Sequence, residues 1–407
     1  MPDLLLVTAR WPFGSDTEFL EREIQHLSEA FSVVRVAPMR PSGSCRTGLP
    51  RNVYVDETLA RAIAPNSHLL GRRSRQVVFT RNLAARQPGR SAGIWPNRQD
   101  LFDASWWRSA ALSRADNVAV WNWAKSVSKP DIAYTFWLSS ATVGLRNAWP
   151  KVPLVSRAHG GDVYAYQHGW STIPQQHLQL AAANLVACVS EDGRRYLAER
   201  FPERSQSLVT RHLGVADLGG LARPGNGVAL KVLSASSIDV NKRVDLIARS
   251  LVSLAHKGKE VNWTHLGTGP QREQVDAILR QAPEGFCAAF PGHVELSEVH
   301  RQMQNGRFNV FMNLSRSEGL PVSIIEAQCV GLPVVATNVG GTAEAADPTL
   351  NEVISSSPAV VEVEAAVMRA AASGPELAVK RRERWAREFN SEVNYAAFAR
   401  ELADLAT

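Results

Sequence analysis

The chain of 407 residues has few cysteines and no long apolar run, and each shortage excludes a class of protein. Its four cysteines lie far apart without paired spacing, which argues against a disulfide framework or a zinc knuckle. No window approaches the roughly 18 consecutive apolar residues of a membrane-spanning helix. The first apolar run, Leu4 to Val7, follows no basic residue, unlike the core of a secretory signal. We therefore expect a cytoplasmic protein, and at roughly 100–200 residues per domain the length predicts two domains.

Acidic residues are absent from Thr58 to Gln99, a stretch that we call the basic segment. It accounts for the net charge of +6, and tryptophans lie at its end and shortly beyond it. Basic charge beside aromatic residues is typical of binding to an anionic membrane surface or a polyanionic acceptor. Nucleic acid binding and a solvated insertion are the alternatives. The arginines of the segment are Arg61, Arg72, Arg73, Arg75, Arg81, Arg86, Arg90 and Arg98.

Short apolar runs of strand length alternate with helical stretches along the chain. Several are apolar throughout, as expected of strands covered on both faces by helices. The alternation predicts an α/β fold with doubly wound parallel sheets that bind ligands at the carboxyl ends of their strands. The runs are Leu4–Thr8, Val33–Ala37, Asp131–Thr135, Leu154–Ala158, Leu185–Ser190, Leu208–Arg211, Lys231–Ser234, Val261–Leu266, Phe308–Leu314 and Pro333–Thr337.

A glycine-rich stretch without periodicity divides the chain into comparable halves. Residues 215–227 read VADLGGLARPGNG, and their composition is typical of a linker. We therefore predict an amino-terminal domain over 1–214, a linker over 215–228 and a carboxyl-terminal domain over 229–381.

The densest candidate site follows the strand that ends near Leu314. Gly319 would let the backbone approach a ligand closely, and Pro321 suits the first turn of a helix. The unpaired amides at the start of this helix would form an anion site suited to a diphosphate. These amides belong to Gly319, Leu320, Val322 and Ser323.

Two carboxylates flank this helix start. Glu326 lies among apolar helical residues, where an ionised carboxylate needs strong partners such as the vicinal hydroxyls of a ribose. Glu318 could reach sugar hydroxyls next to the phosphates. The alternatives are an exposed loop acid for Glu318 and a structural pair with an arginine for Glu326. A glycoside hydrolase pair fits poorly, because one carboxylate would lie in a loop and the other inside a helix.

Three further residues lie at the carboxyl ends of predicted strands. Lys242 precedes a helix and could bind a phosphate as a point charge. His159 precedes two glycines, which favours a place beside a ligand over a purely structural role. Gly267 belongs to a glycine turn like the start of a dinucleotide fingerprint, but Arg272 replaces the third glycine, which argues against NAD. No grouping of residues indicates a metal site.

Together these segments resemble the family 4 glycosyltransferases of the GT-B fold, in particular those of bacterial polysaccharide synthesis. The block from Ser315 to Glu344 contains the family's Glu-x7-Glu motif as Glu318 and Glu326. The segments that begin at Arg157, Arg211, Ser234, Trp263 and Phe290 support the resemblance. It implies two Rossmann-like domains facing across a cleft, with a last helix over about 382–407 that crosses back to the first domain.

The resemblance also implies roles for these residues. Glu326 would hold the ribose of a nucleotide sugar, and Glu318 with the following amides would hold the sugar and the diphosphate. Lys242 would pair with the diphosphate, and His159 would lie beside the transferred sugar. These last two and Glu318 are the expected catalytic residues. The remaining donor-site residues would be Gly14 beneath the phosphates, Ser237 where many members have an arginine, Gly267, and His293 and Val294 facing the base.

The implied reaction is retaining transfer of a hexose from a nucleotide sugar, expected to be a UDP-sugar, to a saccharide or lipid-linked acceptor. It would serve polysaccharide or glycoconjugate synthesis and would need no metal or other cofactor. A nucleotide-sugar epimerase and a non-catalytic nucleotide-sugar binding module are the alternatives. Nucleic acid is not an expected partner.

For the basic segment we predict peripheral docking to an anionic membrane or acceptor through Arg72, Arg73, Arg75 and Arg81. Each arginine near an acidic bilayer contributes about 1 kcal/mol. Replacing Arg72, Arg73 and Arg75 with glutamine should weaken binding to anionic vesicles in co-sedimentation and raise the acceptor KM, with donor affinity unchanged. Vesicle binding that is absent from the parent protein or indifferent to salt would identify a solvated insertion.

Overall fold

The computed structural model describes residues 1–14, 18–70, 96–223, 225 and 227–407. They form two units: Met1–His212 with Val393–Thr407, and Leu213–Glu392. The first unit is therefore built from both ends of the sequence. Within the described ranges, no helix combines the length and the apolar character that crossing a bilayer requires.

The first unit contains a seven-stranded sheet in which every neighbouring pair is parallel. The strand order is β3-β2-β1-β4-β5-β6-β7. The strands are β1 Asp3–Thr8, β2 Val33–Pro38, β3 Val53–Val55, β4 Ile132–Thr135, β5 Leu154–Ala158, β6 Leu185–Cys188 and β7 Leu208–Thr210. The helices between them are α1 Glu18–Ala30, α2 Thr58–Ile63, α3 Arg98–Phe102, α4 Ala104–Ser126, α5 Ser140–Ala148, α6 Gly160–Val163, α7 Gln176–Ala182 and α8 Glu191–Arg200.

The second unit contains a six-stranded parallel sheet with the order β10-β9-β8-β11-β12-β13. Its strands are β8 Leu230–Ala235, β9 Val261–Leu266, β10 Phe286–Gly292, β11 Val310–Asn313, β12 Val334–Thr337 and β13 Glu352–Ile354. Its helices are α9 Val244–His256, α10 Arg272–Leu279, α11 Leu296–Asn305, α12 Val322–Cys329, α13 Thr342–Ala345, α14 Val360–Ala371 and α15 Pro375–Glu388. A last helix, α16 Ser391–Leu405, lies mainly in the first unit.

The two parallel sheets confirm the α/β doubly wound fold. Every predicted strand run overlaps an observed strand, while β3, β10 and β13 were not predicted. All three are edge strands, and most of their residues are partly exposed. A strand with one neighbour and a partly exposed face does not need the continuous apolar run that identified the central strands.

The two segments at the predicted domain boundaries are placed as follows. The segment predicted as a linker belongs to the second unit, where the Ala222 amide donates to the Val330 carbonyl at 2.8 Å. The expected crossing segment, about 382–407, is divided between the units because α15 ends at Glu388 within the second.

A buried polar cluster joins strand, helix and chain end inside the first unit. Arg157 on β5 donates to the Tyr134 hydroxyl at 2.8 Å and to Glu23 on α1 at 3.2 Å, and all three side chains are fully buried. Tyr134 donates to the same carboxylate at 2.9 Å. The Arg157 guanidinium lies 4.3 Å from the ring centroid of Phe398 on α16. Removing one partner would leave the others charged or polar without compensation in a medium of low dielectric.

A second contact fixes the same chain end within the first unit. Arg211, just after β7, forms a two-bonded pair with Glu401 on α16, both bonds measuring 2.6 Å. The planar fork of an arginine matches a carboxylate in this geometry, so the pair also sets the orientation of the helix.

We predict that Glu23→Ala destabilises the protein by about 3–5 kcal/mol, because it leaves the Arg157 charge buried without its carboxylate. The matched control is Glu29→Ala on the same helix, where the side chain is 75% exposed. Its effect should stay within about 0.5 kcal/mol. Urea denaturation followed by circular dichroism measures both, and equal midpoints for the two variants would contradict a structural role for the cluster.

Candidate active site

The candidate site lies where the strand order of the second sheet reverses, between β8 and β11. Loops that leave adjacent strands at such a point diverge and form a crevice at the carboxyl edge of the sheet. Here the loops remain in contact through their backbones: the Arg316 amide donates to the Asn241 carbonyl at 2.7 Å, and the Asn241 side chain donates to the Ser317 carbonyl at 3.1 Å. The sequence motif around Glu318 and the one around Lys242 therefore form a single site.

The start of α12 supplies the anion-binding geometry expected from the sequence. Gly319, Leu320, Val322 and Ser323 donate no backbone hydrogen bond to any described residue. A helix of eight residues follows, so its dipole adds a partial positive charge at this point. Pro321 differs from expectation in one respect: it is the extended residue before the helix, at φ −75° and ψ 99°, and not a residue of the first turn.

Lys242 and Glu318 form an ion pair at the centre of the site. The Lys242 Nζ lies 2.7 Å from Glu318 Oε1, and Asn313 at the end of β11 donates to the same oxygen at 3.3 Å. Glu318 is 9% exposed, so its charge is largely removed from water. The two charges balance each other, and the pair places both predicted catalytic groups within reach of one bound group.

The loop that carries Lys242 is folded by short polar contacts. Asp239 accepts from the Lys242 amide at 2.9 Å and from the Ser237 hydroxyl at 2.5 Å. Ser237 therefore shapes this turn and supplies no positive charge to the site.

Glu326 is buried inside α12, as the sequence indicated, but its partner was not foreseen. His300 on α11 places its Nε2 at 3.0 Å from Glu326 Oε1, where the sequence had suggested an arginine as the structural alternative. Glu326 is 6% exposed and makes no other hydrogen bond to a described residue. The imidazole therefore orients one carboxylate oxygen and leaves the other able to accept hydroxyl groups.

Arg243 is a second residue that sequence reasoning missed. It is 8% exposed, has a left-handed backbone at φ 48°, and donates to the carbonyls of Leu314 and Ser315, where β11 ends. Burial lowers the pKa of its guanidinium. The side chain thereby fixes the strand end from which the Glu318 loop departs.

The glycine turn after β9 packs against the loop that carries Lys242. A Cβ atom on Gly267 would lie 1.9 Å from the Ser236 carbonyl oxygen, and one on Gly269 would lie 2.4 Å from that of Ile238. Only glycine permits this approach, so Gly267 has a packing role whether or not it also contacts a ligand.

Two hydroxyl groups near the start of α12 have no hydrogen-bond partner among the described residues. They belong to Ser317 and Thr342, and both oxygens are buried. The loops that carry them are joined by a hydrogen bond of 3.1 Å from the Gly341 amide to the Gly319 carbonyl. Buried polar groups in native proteins almost always have partners, so these two hydroxyls are candidate contacts for a bound molecule.

His159 lies in the first unit, immediately before α6. Its ring is 4.3 Å from the Trp137 ring and 4.9 Å from the Phe136 ring, and it is 8% exposed. Neither ring nitrogen has a hydrogen-bond partner in the described part of the chain. Burial and, to a smaller extent, the charge of Arg157 lower its pKa to about 3. At neutral pH the imidazole is therefore uncharged, and it can donate or accept one hydrogen bond with a ligand.

The remaining predicted residues are placed as follows. Gly14 follows β1 with a left-handed backbone at φ 75°, and His293 and Val294 follow β10 at the carboxyl edge of the second sheet. The four predicted docking arginines, Arg72, Arg73, Arg75 and Arg81, lie outside the described residues. In the ranges that the structure describes, no three His, Cys, Asp or Glu side chains are grouped to hold a metal ion.

Comparison with known proteins gives a family match within the second unit. Residues 229–372, about a third of the chain, match the model of the family Glycosyl transferases group 1. This match confirms the resemblance carried by Glu318 and Glu326. A sulfoquinovosyl transferase of Arabidopsis thaliana is 32% identical over 110 residues, 27% of this chain and 20% of that protein. The chain spans about a quarter or less of the length of the first curated relatives that it matches.

Solved structures establish the fold as GT-B. S. aureus TarM, in complex with Fondaparinux, alpha-GlcNAc-glycerol and UDP, superposes with a TM-score of 0.66 over 99% of this chain and 100% of its own, at 10% identity. Anabaena HepE in complex with UDP gives a TM-score of 0.66 at 15% identity, with 99% of this chain and 100% of its own covered. At these identities the likeness concerns the fold alone.

The pKa of His159 predicts a specific dependence of stability on pH. Between the native value of about 3 and the unfolded value of about 6.5, the unfolded chain binds a proton that the native ring does not. Stability should therefore fall as the pH drops below 6.5. Between pH 7.5 and pH 5, the free energy of unfolding of the wild type should fall by about 2 kcal/mol more than that of His159→Gln, as measured by urea denaturation. All other histidines are common to both proteins, and parallel pH profiles would show that His159 titrates normally.

Proposed function

We propose that the protein is a retaining glycosyltransferase that moves a hexosyl group from a nucleotide sugar, specifically a UDP-sugar, to a saccharide or lipid-linked acceptor. The observation that carries the proposal is the start of α12, where four unpaired amides lie next to the Lys242–Glu318 pair. The family match of the second unit supports the reaction class. The UDP found with the GT-B proteins TarM and HepE supports the choice of nucleotide.

The diphosphate would bind at the helix start and Lys242. Its negative charge would attract the Lys242 ammonium group away from Glu318, which would then accept hydroxyl groups of the donor sugar. This exchange couples the binding of the phosphates to that of the sugar, because the same ion pair must open for both. Fixed amide dipoles and a lysine stabilise the charge that grows on the leaving diphosphate, and such preorganised groups commonly provide the largest part of catalysis.

The nucleoside would be held by Glu326. Its buried carboxylate keeps one oxygen on His300 and offers the other to the vicinal ribose hydroxyls. Two hydrogen bonds from ribose hydroxyls would replace the hydration that the Glu326 carboxylate loses on burial. Binding of the nucleoside would therefore offset the free-energy cost of burying this charge.

In the transfer step, the acceptor hydroxyl would attack the anomeric carbon as the bond to the diphosphate oxygen breaks. The hydroxyl proton would pass to that leaving oxygen, so that products are the new glycoside and the nucleoside diphosphate. His159 would donate or accept one hydrogen bond at the transferred sugar. Being neutral, it does not repel a cationic anomeric centre.

The functional test is the consumption of a panel of UDP-, GDP- and ADP-sugars by the purified protein, with and without saccharide acceptors. Slow hydrolysis of one UDP-sugar and its acceleration by an acceptor would support the proposal. Conversion of the sugar without acceptor into its epimer would establish the epimerase alternative. Binding without any turnover would establish the binding module.

We predict different effects for the two glutamates. Glu326→Ala should weaken UDP binding at least about tenfold, because a charge-assisted hydrogen bond to the ribose is lost. Glu318→Ala should leave UDP affinity within about threefold and depress turnover, because its partners are the donor sugar and Lys242. Calorimetric titration with UDP separates the two variants.

The matched control for both is Glu352→Ala, which removes a surface pair with Arg369 in the same unit and should alter neither quantity. If Glu326→Ala binds UDP with wild-type affinity, Glu326 does not hold the ribose and only forms a structural pair with His300.

A further inference from the structure

Two neighbouring cavities lie at the carboxyl edge of the first sheet. The smaller is at the reversal of strand order between β1 and β4, and the larger lies beside the ends of β1 and β2 and against α2. The larger has a volume of about 690 Å³ and the smaller about 230 Å³. Both are lined by Arg10, which follows β1, and by Met39 and Arg40, which follow β2. The two cavities are therefore neighbours that share these three residues within the first unit.

The larger cavity has an excess of positive charge. Arg10, Arg40 and Arg61 line it, and Glu57 is its single acid among the described residues. Ser42 and Ser67 add hydroxyl groups to the wall. Arg40 is paired with Asp116 of the smaller cavity, but the three arginines still outnumber the two acids around this space, so the arrangement favours an anionic occupant.

Arg40 is positioned for such an occupant by contacts behind it. One of its terminal nitrogens, Nη2, pairs with Asp116 of α4 at 2.5 Å, and Asp116 is itself held by the Asn66 side chain at 2.9 Å. The Arg40 side chain remains 31% exposed, and its other terminal nitrogen, Nη1, makes no hydrogen bond to a described residue. Asp116 thus anchors one part of the guanidinium, while another donor remains for a carboxylate or phosphate oxygen.

Arg61 provides a second donor from another direction. It lies in the last turn of α2, is exposed, and its side chain has no partner in the described part of the chain. Its exposure means that it can be replaced without disturbing the core of the unit.

We propose that this cavity binds an anionic group of the acceptor, either the carboxylate of an acidic sugar or the phosphate of a phosphorylated one. Arg40 and Arg61 are its specificity-determining residues, and apolar Met39 packs beside the ring that carries the anion. That the bound anion belongs to the acceptor rests on the proposed function, whereas the anion site itself is inferred from the cavity alone. The protein would therefore act on a negatively charged glycan or on a sugar phosphate, and a neutral sugar would bind weakly.

The experiment compares three probes on the full chain by saturation-transfer NMR and calorimetry. They are methyl glucuronide, glucose 1-phosphate and methyl glucoside, which share a pyranose ring and differ in charge. At least one anionic probe should bind about tenfold more tightly than methyl glucoside, as expected for one charge-assisted hydrogen bond. The better of the two anionic probes identifies carboxylate or phosphate as the natural group.

Arg61→Gln and Arg40→Gln should each abolish this preference and leave UDP affinity unchanged. If Arg40→Gln fails to fold because Asp116 loses its partner, Arg61→Gln alone decides. The control is Arg195→Gln, an arginine of the same unit that is 62% exposed and does not line the cavity. It should retain the full preference for the anionic probes.

Three results would overturn the proposal. They are equal binding of all three probes, a preference that survives Arg61→Gln, and displacement of the anionic probes by UDP, which would assign them to the donor site. UDP titration of the same samples is independent of the cavity, so the absence of UDP binding would count against the proposed function and not against the anion site.

Discussion

The reversal of strand order in each parallel sheet is the constraint on which the candidate active site and the smaller cavity of the first unit depend. In the two units the first strand lies in the middle, with later strands added on one side and then on the other. The connections on either side of the reversal must leave toward opposite faces, so a crevice opens at the carboxyl edge whatever the loop sequences are. In the second unit this crevice holds Lys242, Glu318 and the start of α12. In the first it holds the smaller cavity, whose wall joins Arg10 and Arg40 to Trp137 and Ser139 after β4.

The start of α12 differs from the buried cluster of the first unit in how its polar groups are partnered. The Glu23–Arg157–Tyr134 cluster is equally buried, but most of its polar atoms are partnered by one another, as is typical of a structural core. Around α12, by contrast, amides and two buried hydroxyls lack partners in the described ranges. Such groups weaken the empty protein and strengthen the complex, which is the free-energy pattern of a binding site rather than of a structural core.

Sequence alone predicts the parts of this molecule in which one residue's environment follows from its neighbours along the chain. The central strands need apolar side chains on both faces, and the Glu318 helix start needs glycine and proline at fixed spacing, so both were identified. The edge strand β10 needs neither, because half of its surface is exposed, and it was missed. His300 and Arg243 were missed for another reason. Their partners, Glu326 and the end of β11, are 26 and 71 residues away, and periodicity carries no information about such contacts.

The position of α16 has a consequence for how the protein is made. The first unit is interrupted by the whole of the second, and its core uses Phe398 and Leu402 together with Leu6 and Tyr134. During synthesis the second unit has all of its residues first and can fold while the earlier-made first unit still lacks Phe398, Leu402 and the Glu401 partner of Arg211. The first unit therefore cannot complete its core until residues 393–407 emerge from the ribosome, and part of its apolar surface stays uncovered until then.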